Sequence, residues 1–361
     1  MEKKIGIVTF HKAHNYGAVL QAYALKKIVS NMGGIVKFYN YNPQWLKEKY
    51  CKYPTYNDKG IYKIKRYIGY ALDYKRRNKR YKGFDLFIEN YLYDWDSSEV
   101  CSLTHIIVGS DQIWNPKITG GVDDICYGIL PESNNAYCFS YAASAESLNL
   151  SPIEETSILK KIRTLRNVGV RESSLATWVN KRAQSTIATQ NLDPTLLLTP
   201  SEWREIAKEK NINEPYLLVY ENYKDENTIR IANDIAHKLN LKVITITTSS
   251  SWRYGENTLS DTSPDEFIDL FSKASFVLTT SYHGCAFSII FGVQFVALKV
   301  KNGVNNRTES LFNLLGIENN LVVSSDFNYD QYREINYQAL NEKLKMRRAE
   351  SLSFLRKTIN D

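Results

Sequence analysis

Short apolar runs of strand length alternate with segments of helical period in two successive series, and few folds accommodate that rhythm. Lys4 to Phe10 reads as a buried strand. After it, Leu25, Ile28, Val29 and Met32 fall on one helix face, and Gly33-Gly34 stops the helix. Ile35 to Tyr39, His105 to Val108, Ala136 to Phe139 and Asn167 to Val170 are further strands, the last preceded by a helical stretch from Pro152 to Arg166. The second series follows Asp193-Pro194 and the turn Thr199-Pro200-Ser201, with strands expected at Tyr216 to Tyr220, Lys242 to Thr247, Phe276 to Thr279 and Gln294 to Leu298. Ser263-Pro264-Asp265-Glu266 is a capping box with proline at the first helical position, leading into Phe267, Leu270, Phe271 and Ala274. A long polar helix ends the sequence, with Leu352, Leu355 and Ile359 on one face. Such alternation predicts parallel strands joined by crossover helices, an α/β fold. At 361 residues the chain is long enough for two such units. The expected division is residues 1–198, with a basic helical insertion near 45–95, then 199–330, then the helix of 331–361.

Composition narrows the class. Hydrophobic residues make up 43% and charged residues 24%, as in ordinary globular proteins. The richest apolar stretch, Cys285 to Val300, is interrupted by Ser288, Gly292, Gln294 and Lys299, so it reads as a helix and a strand and not as a membrane span. The first strand starts at Lys4 and leaves no room for a signal peptide, and the five scattered cysteines propose neither a disulfide frame nor a metal site. A cytoplasmic protein is expected. Its net charge of +7 is concentrated: residues 59–82 hold ten lysines and arginines against one acid, Asp73. Five tyrosines, Tyr62, Tyr67, Tyr70, Tyr74 and Tyr81, are interleaved with them. An anionic membrane surface or a phosphorylated substrate suits such a segment, as does a solvated helix with no partner. Nucleic acid is not expected, because no binding module surrounds it.

Ligands of open α/β sheets bind beyond the carboxyl ends of the strands, so the residues just after each strand are the first candidates for chemistry. After the first come His14-Asn15-Tyr16-Gly17, where a small residue at a helix start lets an anion approach free N–H groups. Asn15 is equally a simple N-cap. Gly109-Ser110-Asp111-Gln112 follows His105 to Val108 and sets a carboxylate on a turn, either exposed for chemistry or, equally, bonded to its own backbone, and Ser140-Tyr141-Ala142 follows the next strand. Arg171 follows Val170 with a planar fork suited to phosphate or carboxylate, or else forms a rim pair with Glu172. Thr280-Ser281-Tyr282-His283-Gly284 links a strand to an apolar helix, and of the five histidines only His283 stands at such a junction in the second series. A neutral imidazole there can move protons near neutral pH, although a lone histidine is more often a structural polar group. Arg307 follows the last strand and adds a second candidate cation.

Taken in order, these pieces resemble the polysaccharide pyruvyl transferase family. The resemblance is carried by T-F-H-x-x-x-N-Y-G-A-x-L-Q-A-Y-A-L (Thr9 to Leu25), V-G-S-D-Q-I-W-N-P (Val108 to Pro116) and S-Y-A-A-S (Ser140 to Ser144). It continues through V-R-E (Val170 to Glu172), D-P-T-L-L-L (Asp193 to Leu198) and T-S-Y-H-G-x-x-F-S (Thr280 to Ser288), so it spans the chain to about residue 320. It implies a GT-B-like architecture, two Rossmann-like domains facing across a cleft, with the C-terminal helix packing back. It also implies transfer of pyruvate from phosphoenolpyruvate as a ketal onto two hydroxyls of a saccharide, in the synthesis of bacterial surface or capsular polysaccharide. By the same resemblance His283 is the catalytic histidine and Arg171 grips the donor. Asp111 is an acidic residue near the reacting centre, either orienting His283 or activating an acceptor hydroxyl.

Many members carry arginine where this chain has Ser281, and Arg307 is expected to supply that charge. The donor side is then Arg171, Arg307, Ser281, Tyr282 and Gly284, and the acceptor side His14, Asn15, Tyr16, Gly17, Ser110, Gln112 and Tyr141. No cofactor or metal is expected beyond the donor itself. The acceptor is a saccharide, either free or lipid-linked; with a lipid-linked one, the basic segment would contact the inner face of the membrane. Two rivals remain: a glycosyltransferase using a nucleotide-sugar donor in a similar cleft, and a saccharide-binding relative without catalysis, which the Ser281 departure favours.

Overall fold

The computed structural model describes residues 2–52, 64, 67–69, 71–133, 135–145, 150–185, 187–222, 225–247, 257–299 and 305–360. Two six-stranded sheets, parallel in every pairing, organise it. The first contains β1 (Lys4–Val8), β2 (Ile35–Phe38), β3 (His105–Val108), β4 (Tyr137–Ala143), β5 (Val168–Val170) and β6 (Ala188–Gln190), in the order β2-β1-β3-β4-β5-β6. The second contains β7 (Tyr216–Tyr220), β8 (Lys242–Ile246), β9 (Thr258–Leu259), β10 (Phe276–Thr279), β11 (Phe295–Leu298) and β12 (Leu321–Val322), in the order β12-β11-β10-β7-β8-β9. Central strands such as β3, β7 and β10 are buried on every residue, as a sheet covered on both faces requires.

Each sheet reverses its winding once. In the first, the chain leaves β1 for β2 on one side and later adds β3 on the other; in the second, β7 leads to β8 and β9 before β10 is laid against its opposite edge. The crevice at such a reversal is where open sheets admit ligands. Here the β1/β3 and β7/β10 reversals face one another.

Seven helices shape the site: α1 (Tyr16–Ser30), α2 (Gln44–Lys49), α3 (Tyr74–Tyr91), α4 (Pro264–Lys273), α5 (Tyr282–Phe291), α6 (Asn306–Leu315) and α7 (Tyr337–Asn360). α1 is apolar on nearly every face because both halves of the molecule pack on it. Tyr16 stacks on Phe267 of α4 at 4.6 Å and donates its hydroxyl to the Thr262 carbonyl at 2.8 Å, and Tyr23 meets Trp203 at 5.6 Å. One hydrophobic core therefore runs from the first half into the second. The long C-terminal helix α7 returns to the first half: Lys3 donates to the Ile359 carbonyl (2.7 Å), the Leu192 N–H to Ser351 (3.0 Å) and Arg348 to the Leu198 carbonyl (3.2 Å).

The structure differs from the sequence expectation in a few elements. β4 continues to Ala143, so Tyr141 and Ala142 lie inside the strand and not after it. β6, β9 and β12, of two or three residues each, carry too few positions to show a period. The expected capping box at Ser263 does form, with Glu266 accepting from the Ser263 N–H (3.0 Å), Pro264 in the first turn and the Ser263 hydroxyl also meeting Asp265. The basic segment is partly α3; its residues 59–63, 65, 66 and 70 lie outside the described residues.

Leu355 of α7 is fully buried, whereas Met346 on the same helix is half exposed. Leu355→Ala should lower unfolding stability by about 2–5 kcal/mol, read by denaturant melting, while Met346→Ala should change it by less than about 0.5 kcal/mol.

Candidate active site

A cleft of about 450 Å³ opens between the two sheet reversals. From the first half it is lined by Asn15 and Tyr16 after β1 and by Asp111 and Gln112 after β3; from the second by Tyr220, Glu221 and Asn222 after β7 and by His283 after β10. Arg307 closes one end from α6. Lys49 of α2 and Arg77, Arg80 and Tyr81, all on α3, form the wall at the other.

His283 is held from two sides. It lies in the first turn of α5, 6% exposed, and its Nε2 faces the Asp193 carboxylate at 3.6 Å. The opposite edge of the ring rests on Gly17: a Cβ there would stand 2.1 Å from Nδ1. Gly17 is thus small because an imidazole from the other half occupies the space a side chain would fill. Nε2 faces inward, and the Nδ1 edge is the one left to meet a ligand at the start of α1.

Asp193 is the hub behind it. One oxygen accepts from Arg171 (2.8 Å) and Ser110 (3.4 Å); the other accepts from the Thr195 N–H (2.9 Å) and hydroxyl (2.7 Å). Burial alone would raise its pKa. The Arg171 charge, then His283 and Thr195, outweigh that effect and hold the carboxyl below the usual carboxylate range. Arg171, 3% exposed, also donates to Ser110, and its guanidinium lies 5.1 Å from the centre of the Tyr282 ring.

These contacts relocate several residues expected at the ligand. Arg171 does not line the cleft and its partner is Asp193, not the neighbouring Glu172, because a guanidinium so deeply buried needs a counter-charge within reach. Glu172 is itself buried, accepts from the Ser144 hydroxyl, and has its pKa raised by desolvation. Ser110 is sealed beneath Asp111, bonded to the Ala142 carbonyl (3.1 Å), and Tyr141 donates to the Leu192 carbonyl (2.9 Å) inside the core. Tyr282 is pinned between Arg171 and Arg307, Ser281 accepts from Asn222 (2.9 Å), and Gly284 gives room to Thr279. Six of the expected residues besides Arg307 do line the cleft: His14, Asn15, Tyr16, Asp111, Gln112 and His283. Among them Asn15 accepts from the Ala18 N–H as an N-cap (3.1 Å), and His14 is bonded through Nε2 to Asp85 (3.0 Å) and stacked on Phe84. Asp111 has φ of +75° and turns one carboxylate oxygen back to the Gln112 N–H (2.8 Å).

Sequence reasoning missed Asp193 as a site residue, along with Glu221 and Asn222 and the cleft wall built by α2 and α3. Glu221 and Asn222 follow a correctly expected strand, and the strand-end rule would have found them.

The chain matches the family model for polysaccharide pyruvyl transferase over residues 15–302, and it belongs to that family. No curated protein is significantly similar to it in sequence. Its fold is similar to that of a proposed UDP-N-acetylglucosamine 2-epimerase from Listeria monocytogenes (TM-score 0.51, 8% identity, 99% of this chain and 91% of the other). Weaker likenesses include a UDP-GlcNAc 2-epimerase from Methanocaldococcus jannaschii (TM-score 0.49, 11% identity, 96% and 92%) and MurG from Acinetobacter baumannii (TM-score 0.44, 10% identity, 100% and 99%). The architecture is GT-B-like: two Rossmann-like halves with a cleft between them.

Asp193→Asn removes the counter-charge of a buried guanidinium and should cost about 3–5 kcal/mol of stability in a denaturant melt at neutral pH. Because the folded carboxyl titrates below its unfolded value of about 3.9, its contribution is complete above that pH and is lost as the solution is acidified further. The gap between wild type and variant should therefore narrow as pH falls below about 4.

Proposed function

We propose that the chain is a pyruvyltransferase that moves pyruvate from phosphoenolpyruvate, as a ketal, onto two hydroxyls of a saccharide during surface polysaccharide synthesis. The observation that carries this reading is the setting of His283. An imidazole, backed by a buried carboxylate and seated on Gly17, lines a cleft between two sheet reversals, in a chain of this family.

The donor needs positive charge for its phosphate and carboxylate. Arg307 at the near end, the first-turn N–H groups of α1 and the start of α5 meet that need in this reading, and Arg171 acts through Asp193 instead of touching the donor. His283 delivers a proton to the methylene carbon, which becomes the methyl group and leaves positive charge at C2. One saccharide hydroxyl attacks C2 and loses its proton to the imidazole. Inorganic phosphate departs with the C2–O bond pair, a second hydroxyl closes the ring, and its proton leaves with the phosphate. Asp193 stabilises the charged imidazolium at each transfer. Asp111, across the cleft, accepts from an acceptor hydroxyl.

His283→Ala should reduce acceptor-dependent phosphate release from phosphoenolpyruvate by about 10²–10⁴-fold while the thermal melt is retained; unchanged turnover removes His283 from the mechanism. Arg307→Ala should weaken phosphoenolpyruvate in a direct binding assay by about tenfold or more, and normal affinity ends its assignment to the donor. Gly17→Ala, with its Cβ aimed at Nδ1, should lower turnover more than it weakens donor binding.

A further inference from the structure

Arg80 is a buried cation in the cleft wall, 6% exposed, and among the described residues no carboxylate lies within ion-pair distance of it. It donates to the Ser260 carbonyl at 3.4 Å, and its guanidinium lies 5.5 Å from the centre of the Tyr81 ring. A buried charge without a counter-ion is costly, and Arg171, also deeply buried, has Asp193 for that purpose. Arg77 lies 5.7 Å from the same ring, and Lys49 reaches the cleft from α2, where Tyr81 ties the next loop down by donating to the Cys51 carbonyl at 2.7 Å. Beside them Trp45 presents a buried indole N–H with no hydrogen-bond partner.

Strand order fixes where this cluster lies relative to His283. Along the carboxyl edge of the second sheet, Arg307 follows β11, one strand from β10 and its His283; Ser260, which anchors Arg80, follows β9, three strands away on the other side. At the usual spacing that separation is about 14 Å. A three-carbon donor engaged by Arg307 and His283 does not reach it.

We infer that Arg80, with Arg77 and Lys49, forms a second anion subsite that takes a phosphate or diphosphate group carried by the acceptor saccharide. The saccharide lies between the two anion sites, its hydroxyls at His283 and its phosphate on the α3 wall, and the Trp45 indole N–H donates to the ligand. Three cations on one wall exceed the need of a single carboxylate and match a phosphate group. The inference rests on the pyruvyltransferase reading for the identity of the first ligand, but not for the existence of the subsite.

The test is calorimetric titration of the full chain with inorganic pyrophosphate, alone and with saturating phosphoenolpyruvate. Both ligands should bind together. Arg80→Gln should weaken pyrophosphate by about tenfold or more and leave phosphoenolpyruvate affinity within about twofold. Lys49→Ala, at an exposed position that no fold requires, should weaken pyrophosphate a few-fold, so the proposal stands even where the Arg80 variant folds poorly. Mutual exclusion of the two ligands, or pyrophosphate binding indifferent to both substitutions, overturns it. Competition by uridine diphosphate and by farnesyl diphosphate in detergent separates a nucleotide-borne from a lipid-borne acceptor, and failure of both to displace pyrophosphate also overturns it. Loss of phosphoenolpyruvate binding with pyrophosphate binding intact refutes the donor assignment and leaves the subsite.

Discussion

A single buried carboxylate joins the two halves at the point where chemistry is expected. Asp193 leaves the last strand of the first sheet, holds Arg171 and faces the imidazole of the second half's His283. Burying Arg171 and Asp193 together is tolerable because their charges offset one another, and removing either would leave its partner uncompensated. This arrangement explains why Arg171 is sequestered from solvent. It also explains why His283 presents one defined edge to the cleft, since Asp193 sits behind Nε2 and Gly17 beneath Nδ1.

Around that hub the cleft has a direction. Its middle is made by the two sheet reversals, one end by Arg307, and the other by α2 and α3, which the chain inserts between β2 and β3. α3 is also a strap between the halves: Lys79 pairs with Asp261 (2.8 Å), Asp73 accepts from Ser260 (3.1 Å), and Gly83 is packed so closely on Ser263 that a Cβ would lie 2.5 Å from it. The charge that makes residues 59–82 conspicuous in the sequence is thus partly spent on the cleft wall and partly on the second half. Exposed Ile64, Tyr67, Ile68 and Leu72 lie on the same stretch, upstream of those contacts.

Much of this was legible in the sequence because it depends on local period. The buried strands, the glycine at the head of α1 and the junction holding His283 all follow from short-range patterns. What was not legible depends on contacts distant in sequence. Asp193 and Arg171 are 22 positions apart and pair across adjacent strand ends, one of them β6, too short to announce itself. Nothing local distinguishes an arginine that grips a ligand from one that braces a carboxylate. Likewise the basic segment shows its charge but not its direction, and only the packing of α3 against Ser260 and Ser263 turns Arg77 and Arg80 toward the cleft.

The account depends on Asp193 fixing which imidazole nitrogen faces the donor. Nitrogen-15 spectra of the histidine side chains, with His283 assigned by substitution, measure this directly. The ligand-free protein near pH 8 should show His283 as the Nε2–H tautomer, and phosphoenolpyruvate should perturb its Nδ1 resonance. An Nδ1–H tautomer, or an Nδ1 signal unmoved by saturating donor, would contradict it.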